Sequence, residues 1–262
     1  MIFKVLGCFG SELPGYRCPG FLVNGRLLLE AGTATSVLTW HEQLEISDVC
    51  VTHVHLDHVK DLAFLVDNRL GHAPRPLVVA GTAEVIDSLR RDLFNGRIWP
   101  DFSRIPSRRR PSVVYRVIPE GRYARVAGLS IKPVRVHHPV AATAYILREP
   151  GASILYTGDT GPTAAVWRAA RALRDLTAVI AECSFPSAME SLAAASGHLT
   201  PSLLARELEQ LGRPEVPVYI YHMKPPHVEA IAEELAGLGG RLEMLHQGRT
   251  YTLGREGHDR GA

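Results

Sequence analysis

The chain has 262 residues, of which 46% are hydrophobic and 21% are charged, and its formal net charge is +2. This length and apolar content suffice for one sizeable core, so we expect a single domain over residues 1–254 and a flexible polar tail over 255–262. The small net charge argues against recruitment by nucleic acid or membrane through charge alone. No apolar run reaches the roughly 18 residues that a membrane span requires.

The pattern of apolar residues predicts alternating strands and helices. The chain opens with strands at 2–6, 20–24 and 26–30, and Asn24-Gly25 marks a hairpin turn between the last two. Later strands are predicted at 48–52, 77–80, 112–118, 129–136, 143–148, 153–157, 177–182, 218–221, 241–245 and 249–253. Helices are predicted at 34–44, 59–70, 82–93, 162–174, 201–211 and 226–237, and residues 95–111 are irregular. This order predicts an α/β fold with two sheets between helix layers.

Residues 53–58 read His-Val-His-Leu-Asp-His and directly follow the apolar run 49–51. Burying such groups unpaired is costly, and a divalent metal would supply partners for all of them. Imidazole and carboxylate ligands suit zinc, iron or manganese, whereas calcium and magnesium prefer oxygen. His53 and His55 project to one side of an extended chain, while Asp57 and His58 can reach a second ion roughly 3.5–4 Å away. The plain alternative is a strand end with solvated histidines.

Three later strand ends also carry potential ligands. The pair His137-His138 follows 129–136, Asp159 follows 153–157, and His222 follows 218–221. Gly158 precedes the aspartate and permits a close backbone approach. A lone histidine at a strand end is more often structural, but three such places beside the hexapeptide favour a metal site.

The order His-x-His-x-Asp-His, histidine, Gly-Asp-Thr and a late strand-end histidine resembles the metallo-β-lactamase superfamily over nearly the whole chain. Within it, residues 93–102 (Leu-Phe-Asn-Gly-Arg-Ile-Trp-Pro-Asp-Phe), 197–201 (Gly-His-Leu-Thr-Pro) and 221–225 (Tyr-His-Met-Lys-Pro) resemble the class II cyclic-nucleotide phosphodiesterases. The resemblance implies an αββα sandwich, in which two mixed β-sheets lie between helix layers.

The resemblance also implies a ligand set for two divalent ions, zinc first, with manganese or iron as alternatives. His138 is preferred to His137 because the family histidine immediately precedes Pro-Val, and the two side chains of a strand face opposite ways. Glu30 departs from the aspartate of most relatives, at a position that supports the site without ligating. The first ion would be held by His53, His55 and His138, the second by Asp57, His58 and His222, and Asp159 would bridge the two.

Such a pair of ions can hold a hydroxide at neutral pH for attack on a phosphodiester. The expected catalytic residues are Asp57, His198 and Glu182. His198, in Ser-Gly-His-Leu-Thr-Pro, is the candidate that assists the leaving alkoxide, and the alternative is a surface histidine that caps the next helix. Glu182 would orient a nearby histidine.

The function expected from these residues is hydrolysis of 3′,5′-cyclic AMP or cyclic GMP to the 5′-monophosphate. A first alternative is an RNA-processing endonuclease of the tRNA 3′-end type, but the chain has no long basic arm to hold RNA. A second is a lactonase or thioesterase that uses the same ions, and a third is a metal-binding protein without catalysis. The substrate is thus a small phosphodiester, and nucleic acid and membrane are not expected partners.

Other parts of the chain leave alternatives open. Arg104 and the run 108–110 could attract an anionic substrate or lie solvated, and Trp99 and Phe102 could stack on a purine or pack in the core or a dimer interface. The family implies a possible homodimer. Four scattered cysteines without CxxC spacing indicate reduced thiols, so we expect a cytoplasmic location.

Overall fold

The structure is a computed structural model that describes residues 1–254, so the predicted tail over 255–262 lies outside the described residues. The strands are β1 (Ile2–Gly7), β2 (Gly20–Val23), β3 (Leu27–Ala31), β4 (Asp48–Cys50), β5 (Leu77–Gly81), β6 (Pro106–Ser107), β7 (Arg110–Pro111), β8 (Val113–Val117), β9 (Ala124–Val126), β10 (Leu129–Arg135), β11 (Thr143–Glu149), β12 (Ala152–Tyr156), β13 (Leu176–Glu182), β14 (Val218–Tyr221), β15 (Leu242–Met244) and β16 (Thr250–Thr252). The helices are α1 (Trp40–Glu45), α2 (Leu56–Val59), α3 (Leu62–Arg69), α4 (Ala83–Ser88), α5 (Ala164–Arg171), α6 (Glu190–Ser196), α7 (Pro201–Leu211) and α8 (Val228–Leu238).

The strands form two seven-stranded mixed sheets and one short ribbon. The first sheet has the order β16-β1-β2-β3-β4-β5-β8, the second has the order β15-β14-β13-β12-β11-β10-β9, and β6 pairs with β7. In the first sheet β3, β4, β5 and β8 are parallel. In the second sheet β12, β13, β14 and β15 are parallel. The remaining pairs are antiparallel. Short connections join pairs such as β2–β3 and β11–β12, whereas β1 pairs with β16 from the far end of the described chain.

Three apolar layers hold the sheets and helices together. The central layer lies between the two sheets, where Phe21 contacts Tyr156 and Tyr221 edge to face with ring centroids 5.6 Å apart. A second layer packs α3 and α4 on the outer face of the first sheet, and a third packs α5, α7 and α8 on the outer face of the second. Strands such as β12 are buried along their whole length because helices or the other sheet cover both faces. The architecture is the predicted αββα sandwich.

Most predicted elements are present, and the exceptions have local causes. The helix predicted over 34–44 is wrong in its first half, because Ala34 and Thr35 donate their backbone N–H groups to Asp61 Oδ2. α1 therefore begins only after Thr39, whose side chain forms a capping box with Glu42. The helix predicted over 59–70 is present as α3, which begins at Leu62, and the short helix α2 that precedes it was not predicted. The helix predicted over 82–93 changes to a π-helical turn at 89–93, and β9 and α6 were not predicted.

The parallel strands decide where a site can form. The carboxyl ends of β3, β4, β12, β13 and β14 meet at one edge of the sandwich, which is where the loops carrying the predicted ligands begin. The segment 95–111 instead leads into the amino end of β8, at the opposite edge. In residues 1–254 no helix has the length and apolarity to cross a membrane.

The buried carboxylate of Glu207 joins α7 to α5. Its Oε2 accepts hydrogen bonds from the backbone N–H of Thr163 at 2.7 Å and from Trp167 Nε1 at 2.5 Å. Glu207→Ala leaves both buried donors unpaired, so we expect the free energy of unfolding to fall by about 1–3 kcal/mol in urea denaturation. The matched control is Glu209→Ala at an exposed position of the same helix, for which we expect a change within about 0.5 kcal/mol. Equal stability of the two variants would contradict this role.

Candidate metal centre

Four loops bring imidazole and carboxylate groups together at the carboxyl edge of the sandwich. The hexapeptide 53–58 follows β4 and turns into α2, while His138 follows β10. Asp159 follows β12, and His222 follows β14. The structure therefore gathers residues that are up to 169 positions apart in the chain, as the sequence predicts for the ends of parallel strands.

His53, His55 and His138 form the first group, and their nearest ligand atoms all lie within 4.8 Å of one another. His138 Nε2 is 3.1 Å from His55 Nδ1. The opposite nitrogen of His138 is held by the carbonyl oxygen of Gly197 at 3.0 Å. His137 is exposed, so the structure brings the histidine that directly precedes proline to the cluster and leaves its neighbour outside.

Asp57, His58, Asp159 and His222 form the second group, again within 4.8 Å. His58 Nε2 and His222 Nε2 are 3.3 Å apart. Asp159 Oδ2 lies 3.2 Å from the former and 3.0 Å from the latter. The same oxygen is 3.6 Å from His53 Nε2 in the first group, so Asp159 lies between the two.

The polar atoms of the cluster are poorly satisfied by the protein. His53 Nε2 and Asp159 Oδ1 are buried without a hydrogen-bond partner among the described residues. The paired imidazole nitrogens that face each other at 3.1 and 3.3 Å can share at most one proton between them. Lone pairs that converge in this way match the nitrogen and oxygen donors that zinc, manganese or iron bind. The residues therefore fit divalent metal ions.

Burial and neighbouring charge act in opposite directions on these groups. Burial lowers the pKa of His53, and it lowers the pKa of His138 to about 4. Burial also opposes the charged form of His58, but the Asp159 and Glu30 carboxylates outweigh it and raise the pKa of that imidazole. The first group is thus neutral, the form in which histidine binds a metal. In the second group the Asp159 and Glu30 carboxylates favour the protonated imidazole of His58, and a metal ion bound there would have to replace that proton.

Glu30 supports the second group from behind. Its backbone has φ of +60°, and its buried side chain places Oε2 3.4 Å from His58 Nδ1. The same oxygen accepts the backbone N–H of Thr52 at 3.3 Å. A carboxylate beyond the outer nitrogen of an imidazole fixes the orientation of the ring. The longer side chain at this position thus reaches His58 and leaves the inner nitrogen directed at the cluster.

His198 and Glu182 form a buried pair beside the cluster. Glu182 Oε1 lies 2.9 Å from His198 Nδ1 and accepts the backbone N–H of Thr160 at 3.0 Å. The imidazole of His198 stacks on that of His222 with ring centroids 5.2 Å apart. The cap of α7 is Thr200, so the alternative of a surface capping histidine is wrong. Glu182 itself lies behind His198, where it can orient the ring.

Ser184 was missed by the sequence reasoning. Its hydroxyl donates to Glu182 Oε2 at 2.8 Å and lies 2.9 Å from His222 Nδ1. It therefore connects the His198–Glu182 pair to the second group of ligands. The only available signal was its position in Ala-Glu-Cys-Ser-Phe-Pro, directly after β13, because a serine carries no ligand pattern of its own.

The loop after β1 also contributes without having been predicted. His222 adopts φ of +69°, and its backbone N–H donates to the carbonyl oxygen of Cys8 at 2.7 Å. A Cβ atom on Gly10 would lie 2.6 Å from His222 Nδ1. Gly158 behaves as predicted, with φ of +62° and no room for a Cβ beside the carbonyl oxygen of Thr143. These close approaches hold the ligand-bearing loops in place.

The sequence of this chain is similar to known proteins over most of its length. The family model of class-II cAMP phosphodiesterases matches residues 30–226. The chain belongs to this family. A 3′,5′-cyclic-nucleotide phosphodiesterase of Schizosaccharomyces pombe is 26% identical over 190 residues, which are 64% of this chain and 52% of that protein.

Solved structures of other proteins identify the fold of this chain. Unliganded yeast PDE1 superposes with a TM-score of 0.81 at 20% identity, over 97% of this chain and 99% of that one. The metallo-β-lactamase fold protein YhfI from Bacillus subtilis gives 0.78 at 16% identity, over 96% and 99%. The fold is thus the metallo-β-lactamase fold. The chain spans about half the length of the curated relatives it matches.

The segment 95–111 of this phosphodiesterase family member does not contribute to the cluster. Phe102 is 2% exposed, and Trp99 packs edge to face on Phe64 with centroids 5.2 Å apart, so both aromatics belong to the outer apolar layer. Arg104 pairs with Asp101 at 2.9 Å. The run 108–110 precedes β8 at the far edge of the first sheet, so the alternative in which it attracts a substrate to the cluster is not supported.

Gly32 is where the hexapeptide loop approaches β3 most closely. A Cβ atom there would lie 1.7 Å from the carbonyl oxygen of Asp57 and 2.7 Å from that of Pro19. Gly32→Ala must displace backbone, so we expect urea denaturation to show a loss of at least about 1–3 kcal/mol of unfolding free energy. Gly237→Ala in α8 meets no atom within 4 Å, and this control should gain up to about 1 kcal/mol. Unchanged stability of Gly32→Ala would disprove the close approach.

Proposed function

We propose that this protein hydrolyses 3′,5′-cyclic AMP or cyclic GMP to the 5′-monophosphate with two divalent metal ions. The observation that supports this most strongly is the position of Asp159 Oδ2, within 3.6 Å of imidazole nitrogens of both ligand groups. Membership of the class-II family supports the substrate class. On the same basis we propose a small-molecule substrate, a cytoplasmic location and a homodimer.

In this proposal each of the two groups of side chains holds one metal ion. One ion is held by His53, His55 and His138, the other by Asp57, His58 and His222, with Asp159 shared between them. We propose zinc as the occupant, and manganese or iron as alternatives. Bound ions of this kind lower the pKa of water and draw charge from the oxygens of a phosphodiester. The buried imidazoles and carboxylates of the chain fix the positions at which that chemistry occurs.

His198 is proposed to act on the leaving oxygen. Its Nδ1 is directed at Glu182, which leaves Nε2 as the ring atom that can face a substrate. A cleaved phosphodiester releases an alkoxide, so a histidine that delivers a proton at that point lowers the barrier. Glu182 is a positioning residue in this scheme, because it holds the ring and is itself buried behind it.

The direct test is an assay of cyclic AMP and cyclic GMP hydrolysis by chromatography, with the protein reconstituted separately with zinc, manganese and iron. We expect the 5′-monophosphate as the product. A parallel series uses a lactone, a thioester and a tRNA precursor. Faster turnover of any of these three would favour the corresponding alternative over the proposed function, and no turnover of any substrate would indicate a metal-binding protein without catalysis.

Asp57→Ala should abolish phosphodiester turnover. The carboxylate lies 3.3 Å from His222 Nε2 in the second ligand group, and its side chain is half-buried, so its loss should remove a ligand and leave the fold largely intact. Circular dichroism verifies the fold, and bis(p-nitrophenyl) phosphate gives the rate. Asp67→Ala, at an exposed position of α3, is the matched control and should keep the wild-type rate. Retained activity of the Asp57 variant would refute the assignment.

His198→Ala should reduce the rate of cyclic-nucleotide hydrolysis by roughly 10²–10⁴-fold if the imidazole assists the leaving group. Glu182→Gln should fall between this variant and the wild type, since it only orients the ring. His137→Ala removes an exposed histidine of the same chain and serves as the control. Metal content measured alongside separates a catalytic loss from loss of ions. An unchanged rate of cyclic-nucleotide hydrolysis for His198→Ala would refute the proposed role of this imidazole.

A further inference from the structure

A second cavity lies at the opposite edge of the first sheet, between the loop 71–76 and the β6–β7 ribbon. It encloses about 510 Å³ and is reached from the amino ends of β5 and β8. β4 and β5 pair Asp48 with Val78, and Asp48 lies five residues before His53. At about 3.3 Å per residue the two levels are roughly 17 Å apart. The cavity is therefore separate from the metal centre.

Its lining is strongly basic. Four arginines line it, and the lining contains no aspartate or glutamate; the arginines are Arg69, Arg75, Arg109 and Arg110. Some exposed arginines elsewhere have an acidic partner, such as Arg91 with Asp92 or Arg206 with Glu190. In residues 1–254 no ion pair is formed by the side chains of Arg75, Arg109 or Arg110. Three guanidinium groups without an ion-pair partner thus line one cavity, where a bound anion would reduce their mutual repulsion.

Arg69 adds an independent indication. It is only 6% exposed, and its guanidinium donates to the carbonyl oxygens of Gln43 at 2.6 Å and Leu44 at 2.8 Å. Its Nε is buried without a partner among the described residues. Burial opposes the charged guanidinium and lowers the pKa of Arg69, whereas the charge of Glu45 favours the charged form. A buried charged donor that lacks a hydrogen-bond partner is destabilising. An anion in the cavity would supply what this side chain lacks.

The walls of the cavity are stiff. Four of the lining residues are prolines, at 74, 76, 106 and 111. Proline fixes its own φ, so the two segments that carry the arginines have few other conformations. Ser112, also in the lining, is anchored by hydrogen bonds of its backbone N–H to the carbonyl oxygens of Phe102 and Ile105. A site held in this way loses little conformational entropy when a ligand binds.

We propose that this cavity binds a small organic molecule that carries two or more phosphoryl groups, at a site separate from the metal centre. Guanidinium groups match phosphate oxygens in pairs of parallel hydrogen bonds. Four such groups exceed what one phosphate requires, and 510 Å³ lies in the range of small-molecule sites. Nucleoside diphosphates and sugar bisphosphates share this chemistry. The proposal does not depend on the reaction at the metal centre.

The test is isothermal titration calorimetry of the metal-loaded protein with ADP and with fructose 1,6-bisphosphate as probes. The Arg75→Gln/Arg109→Gln double variant changes two exposed lining residues, and the Arg122→Gln/Arg174→Gln double variant removes the same charge from exposed positions outside the cavity. We expect the dissociation constant to rise by about tenfold or more in the first double variant and to stay within about twofold of wild type in the second. The probe with the lower dissociation constant shows whether the site prefers a nucleoside or a sugar as the organic part of its ligand.

Three results would overturn the proposal. One is equal binding by both double variants, which would place the probes at the metal centre or at no defined site. Another is the absence of binding of either probe to the wild-type protein. The third is tighter binding of a single-stranded RNA 20-mer than of either probe, lost in the same cavity variant, which would make the arginines a nucleic-acid surface. Circular dichroism of both variants ensures that lost binding does not reflect unfolding.

Discussion

One buried oxygen atom, Asp159 Oδ2, is within 3.6 Å of imidazole nitrogens from His53, His58 and His222. Without a cation, this arrangement leaves buried nitrogens unpaired and places imidazoles against each other. A protein pays for such a cluster in stability unless something binds there. The loops that carry the ligands come from both sheets, so the whole sandwich is required to bring that oxygen and those nitrogens together.

The backbone around the cluster is adapted to hold it. Glu30 and His222 both adopt positive φ, which costs energy for residues other than glycine. Glycines at 10, 32 and 158 lie where a Cβ atom would strike a neighbouring loop. Behind the ligands, Glu182 and Ser184 connect His198 to His222 through hydrogen bonds of 2.8–3.2 Å. The side chains of the cluster are therefore held in place by further hydrogen bonds, which would reduce the conformational entropy lost on ion binding.

Sequence patterns predicted which loops meet at the cluster, because strand ends and short His/Asp spacings are local features. The hexapeptide, His138 rather than His137, Asp159 and His222 all lie where the chain pattern and the family resemblance placed them.

Other features of the structure depend on tertiary contacts, which the sequence patterns did not predict. Asp61 captures the N–H groups of Ala34 and Thr35 and delays α1 until Trp40. Ser184 and the loop at Gly10 act only through residues distant in sequence, and the arginines before β8 face the opposite edge because β8 is parallel to β4 and β5. Local sequence patterns do not predict contacts between residues that are distant in the chain.

The central claim is that two ions share Asp159 between the two histidine groups. Anomalous diffraction at the zinc edge, from crystals of the zinc-loaded wild-type protein, tests it most directly. The account predicts two peaks roughly 3.5–4 Å apart, both in contact with Asp159 and each with its own group of histidines. A single peak, or two peaks of which only one contacts Asp159, would contradict it.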